Sequence, residues 1–163
     1  MDLELVSEPN GDELDASVEF SAFFDERFVA LSRLAFLLTD SSTAADEIAQ
    51  DACEQVFRRW SDIEHPRTYA RTAVINGARS WGRRRSLRRR APHDAARHVE
   101  FDSDVIAVRQ ALKQLPERER EVLVLRYYAD LKVDDIAADL DIPVGTVKSL
   151  IHRSLSQLQE VLR

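Results

Sequence analysis

Each of the five prolines in this chain, Pro9, Pro66, Pro92, Pro116 and Pro143, falls where a helical pattern starts, stops or is absent. Proline fixes φ and lacks an N–H, so it suits a helix's first turn and disrupts its interior. The chain is thereby cut into helix-sized pieces. Phe20, Phe24, Phe28, Leu31, Ala35 and Leu38 recur at three- and four-residue spacing and form the apolar stripe of one long helix. Residues 39–42 interrupt it. Thr43 and Asp46 then have the spacing of a capping box, and the helix they open is expected to bury Ala45, Ile48, Ala49, Ala52, Val56 and Trp60. After a polar loop at 61–65, Pro66 opens a third helix with Ala70, Ala73, Val74, Gly77 and Trp81 on one side.

From about residue 86 to 104 the pattern dissolves into Arg, Ala, Pro, His and Asp. Helical spacing resumes with Val105, Val108, Leu112 and Leu115, and Pro116 opens a further helix running through Tyr128. Two helices close together, 133–140 and 144–162, end the chain. No strand pattern or internal repeat stands out. The expected fold is all-α: an acidic disordered tail over 1–17, a helical domain over 18–90, a flexible linker over 91–104, and a second helical domain over 105–163 containing a helix-turn-helix.

At 163 residues each domain has a modest core. No apolar run is long enough to cross a bilayer, and the N-terminus lacks the basic-then-apolar order of a secretory signal. A soluble, cytoplasmic protein is expected. With Cys53 as the single cysteine, an internal disulfide and a multi-cysteine metal cluster are both excluded, and four glycines leave little for a phosphate-cradling loop. No cofactor, metal or catalytic residue is expected, and the chain reads as a non-enzyme. Cys53, beside Ala52, reads as a small hydrophobe.

The net charge of -6 hides a block arrangement. Residues 1–19 carry seven acids and no Lys or Arg, which leaves +1 for the remainder. Residues 79–97 hold eight arginines against Asp94 alone, whereas 40–54 hold five acids and no base. Such blocks are either solvated surfaces or binding sites for an oppositely charged partner, a polyanion in the case of the arginines.

Ile136, Ala137, Leu140, Ile142, Val147 and Ile151 surround the turn at 141–143, and the small Ala137 lets a second helix cross closely. This is the pattern of a helix-turn-helix, although an ordinary helical hairpin has the same apolar positions. Its second helix presents Thr146, Lys148, Ser149, His152 and Arg153, donors suited to phosphates and base edges. The string LPEREREVLVLRYYADL, followed by DDIAADLDIPVGTVKSLIHRSLSQL, closely resembles region four of sigma factors of the extracytoplasmic-function (ECF) group of RNA polymerase sigma factors. The resemblance implies that this domain reads the minus-thirty-five promoter element in the major groove. Thr146, Lys148, Ser149, His152 and Arg153 would then face DNA, and Arg126 would contact its backbone from the preceding helix.

The first domain carries a second resemblance. AADEIAQDACEQVFRRW is similar to the part of region two that docks on the β′ clamp helices of RNA polymerase. Glu47, Asp51 and Glu54 lie at i, i+4 and i+7, an acidic stripe opposite the apolar face, with Gln50 at its border and no base on that face. Taken alone the stripe equally fits a solvated helix face. HPRTYARTAVINGARSWGRRR resembles the part of region two that melts and reads the minus-ten element. Thr72, Asn76, Arg79 and Arg83 make a polar stripe at helical spacing. Asn76 offers a donor and an acceptor to a base edge, and Arg79, Arg83 and Arg84 supply phosphate neutralisation. By the same resemblance, the loop at 61–65 would capture a flipped base. Trp81 falls on the apolar stripe and reads as core; Tyr69 is compatible with either role.

The resemblance covers residues 20–90 and 105–162. It departs at Ser80, where many members have an acid, at Leu150, where many have Arg, at Asp141 in place of the turn glycine, and at Lys132 and Val133 in place of a Ser cap. Leu150 is expected to touch a thymine methyl or a partner. The implied function is that of an ECF-type sigma factor: it binds RNA polymerase core, directs promoter-specific initiation through both elements, and is held inactive by an anti-sigma factor. The alternatives are a stand-alone helix-turn-helix regulator that binds an operator without core, and a protein-binding helical module whose arginine run is merely solvated.

Overall fold

The computed structural model describes residues 11–87 and 103–161, and every regular element among them is helical. Seven α-helices follow in order: α1 (Gly11–Thr39), α2 (Ser42–Arg58), α3 (Pro66–Leu87), α4 (Ser103–Leu112), α5 (Glu117–Leu123), α6 (Val133–Leu140) and α7 (Val144–Val161). A 3₁₀ turn at Trp60–Asp62 precedes α3, and a π-helical turn at Val124–Tyr128 continues α5.

α1 begins at Gly11, inside the stretch expected to be disordered. The expectation rested on missing periodicity, but acids near a helix start interact favourably with its dipole, and Asp12 and Asp15 stand there. Residues 1–10 of the acidic tail, and most of the linker, lie outside the described residues; Ser103 and Asp104, expected in the linker, open α4. In the C-terminal half of α1 the buried surface is wider than one stripe: Leu31, Leu34, Ala35, Phe36 and Leu37 are all buried. The cause is that α1 packs against α2, α3 and the π-helical turn, so more than one face is covered.

α1 ends where Thr39 turns its hydroxyl back to the Ala35 carbonyl (2.8 Å) and Asp40 adopts a left-handed φ of 58°. The cap of α2 is not the expected Thr43–Asp46 box. Ser41, in extended backbone, accepts a hydrogen bond from the Ala44 N–H (3.2 Å). Asp46 instead accepts from the Ser32 hydroxyl of α1 at 2.8 Å, which satisfies a buried serine across the helix pair. The buried face of α2 is small and close-set: Ala44, Ala45, Ile48, Ala49, Ala52, Cys53 and Val56. Gly77 of α3 lies so near it that a Cβ would stand 2.9 Å from Ile48 Cγ2. Trp60 is half-buried beyond the end of α2, edge-on to Phe20 with ring centroids 5.6 Å apart. Tyr69 and Trp81 also pack partly buried against this core, and the Arg85 guanidinium lies over the Trp81 ring.

The second apolar cluster joins Val122, Leu125, Leu131, Ile136, Ala137, Leu140, Val147 and Leu150 around the α6–α7 turn. Leu150 is therefore core, which corrects its expected exposure to DNA or a partner; its position on α7 faces inward with Val147. The two clusters exchange residues. Ile75 of α3 is fully buried in the second, while Leu112, Leu115, Leu123 and Val124 belong to the first. The helices on either side of the 88–102 segment thus pack against each other.

Between α6 and α7, Asp141 takes φ 52° and ψ 50°; its N–H bonds to the Ala138 carbonyl and the Ile142 N–H to Ala137, a Schellman closure usually made by glycine. A short polar side chain tolerates this region and a β-branched one does not. Asp141→Val should lower stability by about 1–2 kcal/mol, while Asp141→Gly should cause no loss. Urea unfolding of the two variants checks this.

Candidate nucleic-acid interface

α7 buries Val147, Leu150 and Ser154, with Val144, Ile151 and Leu158 partly buried beside them, and so turns its opposite face outward. Thr146, Lys148, Ser149, His152 and Arg153 are all exposed, gathered in the N-terminal two-thirds of the helix. Ser149 donates its hydroxyl to the Gly145 carbonyl (3.0 Å), leaving its lone pairs outward as acceptors. The Arg153 guanidinium is anchored 3.6 Å from Glu119 of α5, whose carboxylate is almost wholly buried. Arg126 differs from the rest. It is half-buried, donates to the Leu131 carbonyl at 3.1 Å and lies near Asp130, so it braces the segment leading into α6.

On α3, Asn76, Arg83 and Arg84 are exposed and Thr72 is half-buried. Arg79 is drawn away from them: it donates to the Asp139 carbonyl of α6 at 3.2 Å and lies 3.7 Å from Glu121 of α5. The expected polar stripe is therefore only partly assembled. Beside its start, residues Arg59, Asp62, Ile63, Glu64, His65, Thr68, Tyr69 and Thr72 line a cleft of about 600 Å³ that includes most of the loop at 61–65.

Glu47, Gln50, Asp51 and Glu54 are all exposed along α2. One base does reach this face, contrary to the sequence expectation: Arg58 lies 3.4 Å from Glu54, an exposed i,i+4 pair of small energetic weight. Periodicity did not reveal what borders the stripe. A cleft of about 340 Å³ runs between α1 and α2, lined by Phe20, Phe24, Phe28, Gln50, Cys53, Glu54 and Phe57. Phe57 is 54% exposed at its edge, and its off-stripe position in α2 was the available signal. Burial pushes the Cys53 thiol up to about 11, which suits an inert packing group.

Among the described residues no group of His, Cys, Asp or Glu is arranged to hold a metal ion, and no helix is long and apolar enough to cross a membrane. Fold and surface together define a class, the all-helical protein ending in a helix-turn-helix whose second helix shows a polar, partly basic face. Residues 106–158 match the family described as Sigma-70, region 4. The chain is 33% identical over 155 residues to the RNA polymerase sigma-E factor of Streptomyces coelicolor, covering 89% of this chain and 86% of that one. It is 30% identical over 163 residues to the ECF RNA polymerase sigma factor SigL of Mycobacterium tuberculosis, covering 87% and 88%. Its fold is similar to that of the sigma factor RpoE solved in complex with the anti-sigma factor NepR from Bartonella quintana, with TM-score 0.72, 23% identity, and coverage of 88% and 96%. The chain belongs to the ECF group of RNA polymerase sigma factors.

Two carboxyls where α3 meets the C-terminal helices have raised pKa values. Burial raises Glu121, against the opposing pull of Arg118 and Arg79; burial also raises Asp139, opposed by Arg71. A carboxyl whose folded pKa exceeds its unfolded value binds more protons when folded, so its stabilisation is full at low pH and lost as pH rises through the folded pKa. Urea titrations above about pH 4 should show this loss, and Glu121→Gln should flatten it. Leu150→Ala should cost about 2–5 kcal/mol in the same measurement, as expected for a core leucine.

Proposed function

We propose that this chain acts as a dissociable promoter-specificity subunit, binding RNA polymerase core and directing initiation by recognising a minus-ten and a minus-thirty-five element. The observation that carries the reading is the outward face of α7, where Thr146, Lys148, Ser149, His152 and Arg153 are exposed together on the second helix of a helix-turn-helix. In that geometry the helix enters the major groove with its N-terminal residues nearest the base edges. Lys148 and Arg153 neutralise phosphate or contact guanine, while Thr146, Ser149 and His152 hydrogen-bond. Arg126 contributes by bracing the segment before α6, with the DNA backbone as its second partner.

The α3 face supplies the minus-ten contacts. Asn76 reads a base edge and Arg79, Arg83 and Arg84 neutralise phosphates, with Thr72 at the rim of the cleft by the 61–65 loop. That cleft has room for an unstacked base, with Tyr69 and His65 among its walls. Glu47, Gln50, Asp51 and Glu54 form the polymerase-docking face, whose negative charge calls for a basic helical partner. The division into domains at 18–90 and 105–163 lets both promoter elements be held at once, each contact raising the local concentration for the other. The likeness in fold to a sigma factor bound by an anti-sigma factor supports a similar inhibitory partner here. The reading includes a cytoplasmic location and no catalytic activity of the chain's own.

Reconstituted transcription with core polymerase and a promoter library tests the proposal directly. Asp51→Lys with Glu54→Lys should abolish core binding while leaving the helical fold intact. Lys148→Ala with Arg153→Ala should weaken binding of the minus-thirty-five element by roughly tenfold or more and lower the salt slope by about 2. Absence of core-dependent transcription from the unaltered chain would overturn the reading.

A further inference from the structure

α3 ends in Arg83, Arg84, Arg85, Ser86 and Leu87, and neither apolar cluster takes up any of the five. All are exposed, Leu87 to 84%, so packing gives no reason for the leucine. The Ser86 hydroxyl donates to the Arg83 carbonyl at 2.8 Å and stands at the surface over the last turn of the helix. Beside it, on the seam where α3 meets α5, lies a cleft of about 420 Å³ walled by Arg79 and Arg83 and by Glu117, Arg118 and Glu121. Arg79 and Arg118 are each held by Glu121, whereas no ion pair among the described residues engages Arg83 or Arg84. The Arg85 guanidinium lies over the Trp81 ring at 5.1 Å.

Three guanidinium groups directly before a hydroxyl, and an apolar side chain directly after it, make a pattern that a phosphoryl-transfer enzyme reads by charge and shape. An acidic substrate groove attracts the arginines and an apolar pocket takes the leucine, and both are reached here without opening either core. One other exposed serine, Ser61, follows two arginines, Arg58 and Arg59. Arg58 is already paired with Glu54, and Asp62 follows Ser61 where Leu87 follows Ser86, so an acidic groove repels that segment.

We propose that Ser86 is a phosphorylation site for an arginine-directed serine kinase, and that its phosphate withdraws Arg83 and Arg84 from DNA. The effect on DNA rests on the minus-ten reading of α3. In the transfer, the Ser86 Oγ attacks the γ-phosphorus of a nucleoside triphosphate. The new O–P bond forms as the bond to the β–γ bridging oxygen breaks, the nucleoside diphosphate leaves, and the hydroxyl proton passes to the kinase's catalytic carboxylate. The product carries about −1.5 to −2 charges at neutral pH. Arg83 stands three residues back, a neighbour on the helix surface, and pairs with the phosphate; the remaining charge offsets Arg84 nearby. A phosphate at a helix C-terminus also opposes the macrodipole and replaces the hydroxyl bond to the Arg83 carbonyl, which loosens the turn that presents both arginines. Both effects weaken binding of the minus-ten strand. The acidic face of α2 and the outward face of α7 belong to other helices, so core docking and minus-thirty-five binding are left unchanged.

The full chain isolated from its native cells, sampled across growth phases and stresses, should carry a phosphoryl group that fragment masses place on Ser86. Its absence in every sample, or its placement on Ser61 instead, would overturn the site. For the effect, an arginine-directed serine kinase with magnesium and ATP is the probe. It should modify the unaltered chain and fail on Ser86→Ala and on Arg83→Ala with Arg84→Ala; no transfer to the unaltered chain would count against the site. Assembled with core polymerase, the phosphorylated chain should bind fork-junction DNA bearing a single-stranded minus-ten strand on the order of tenfold more weakly at about 0.1 M salt, with a salt slope shallower by about 1.4. Ser86→Ala should bind as the unmodified chain does, with or without kinase treatment. Affinity for core and for a minus-thirty-five duplex should not change. Equal fork-junction affinity before and after modification, or an equal loss on the minus-thirty-five duplex, would overturn the charge switch. If the unmodified holoenzyme does not bind the fork junction at all, the minus-ten reading falls, and phosphate on Ser86 of the native chain stands apart from it.

Discussion

The structure hangs on α3, which is buried on two sides at once. Ala70, Val74 and Ala78 face the first cluster, and Ile75 is taken up by the second. A helix clamped in this way has little freedom to rotate about its axis, so the outward directions of Thr72, Asn76 and Arg83 are set by packing. Small residues make the clamp tight. The alanine-rich face of α2 and Gly77 of α3 let backbones approach to where one added methyl would collide with Ile48.

Electrostatics divides the molecule by burial and not merely by sign. The exposed acids of α2 remain in water, where exposed charges cost little. Of the acids near the seam, Asp40 and Glu121 are largely withdrawn from solvent and face arginines or a lysine from other helices, while Asp139 is partly buried near Arg71. Desolvation disfavours the charged forms of Glu121 and Asp139 while the nearby arginines favour them, a balance that pH tips. A chain read by net charge alone would hide this, because both kinds of acid count equally in the total.

Much of the fold was legible because helix formation is local. Pro66 opens α3 as its ring geometry requires, α6 spans the expected residues, and the apolar positions Val147 and Ile151 pack toward the α6–α7 turn. The failures have equally local causes. Ser41 displaced Thr43 as the cap because Asp46 was needed by Ser32, a partner fourteen positions away that spacing on one helix cannot reveal. Leu150 was misread because a resemblance marked a family position, whereas its own place on α7 beside Val147 marked it as core. The outward set on α7 was readable in full, the α3 stripe only in part.

What the sequence determined by itself is the set of helices and the face each turns outward, since both follow from spacing, proline and caps within a few residues. The two resemblances add the expected occupants of those faces, and the relatives that show membership in the ECF sigma factor group span most of the chain. What only the tertiary structure decided is the pairing of distant charges and the exchange of core residues: Asp40 with Arg109 and Lys113, Arg79 with Glu121, and Ile75 within the second cluster. Those contacts join positions tens of residues apart. Their existence depends on how two helical sets meet, a choice made by shape and desolvation across the seam that no window of sequence contains.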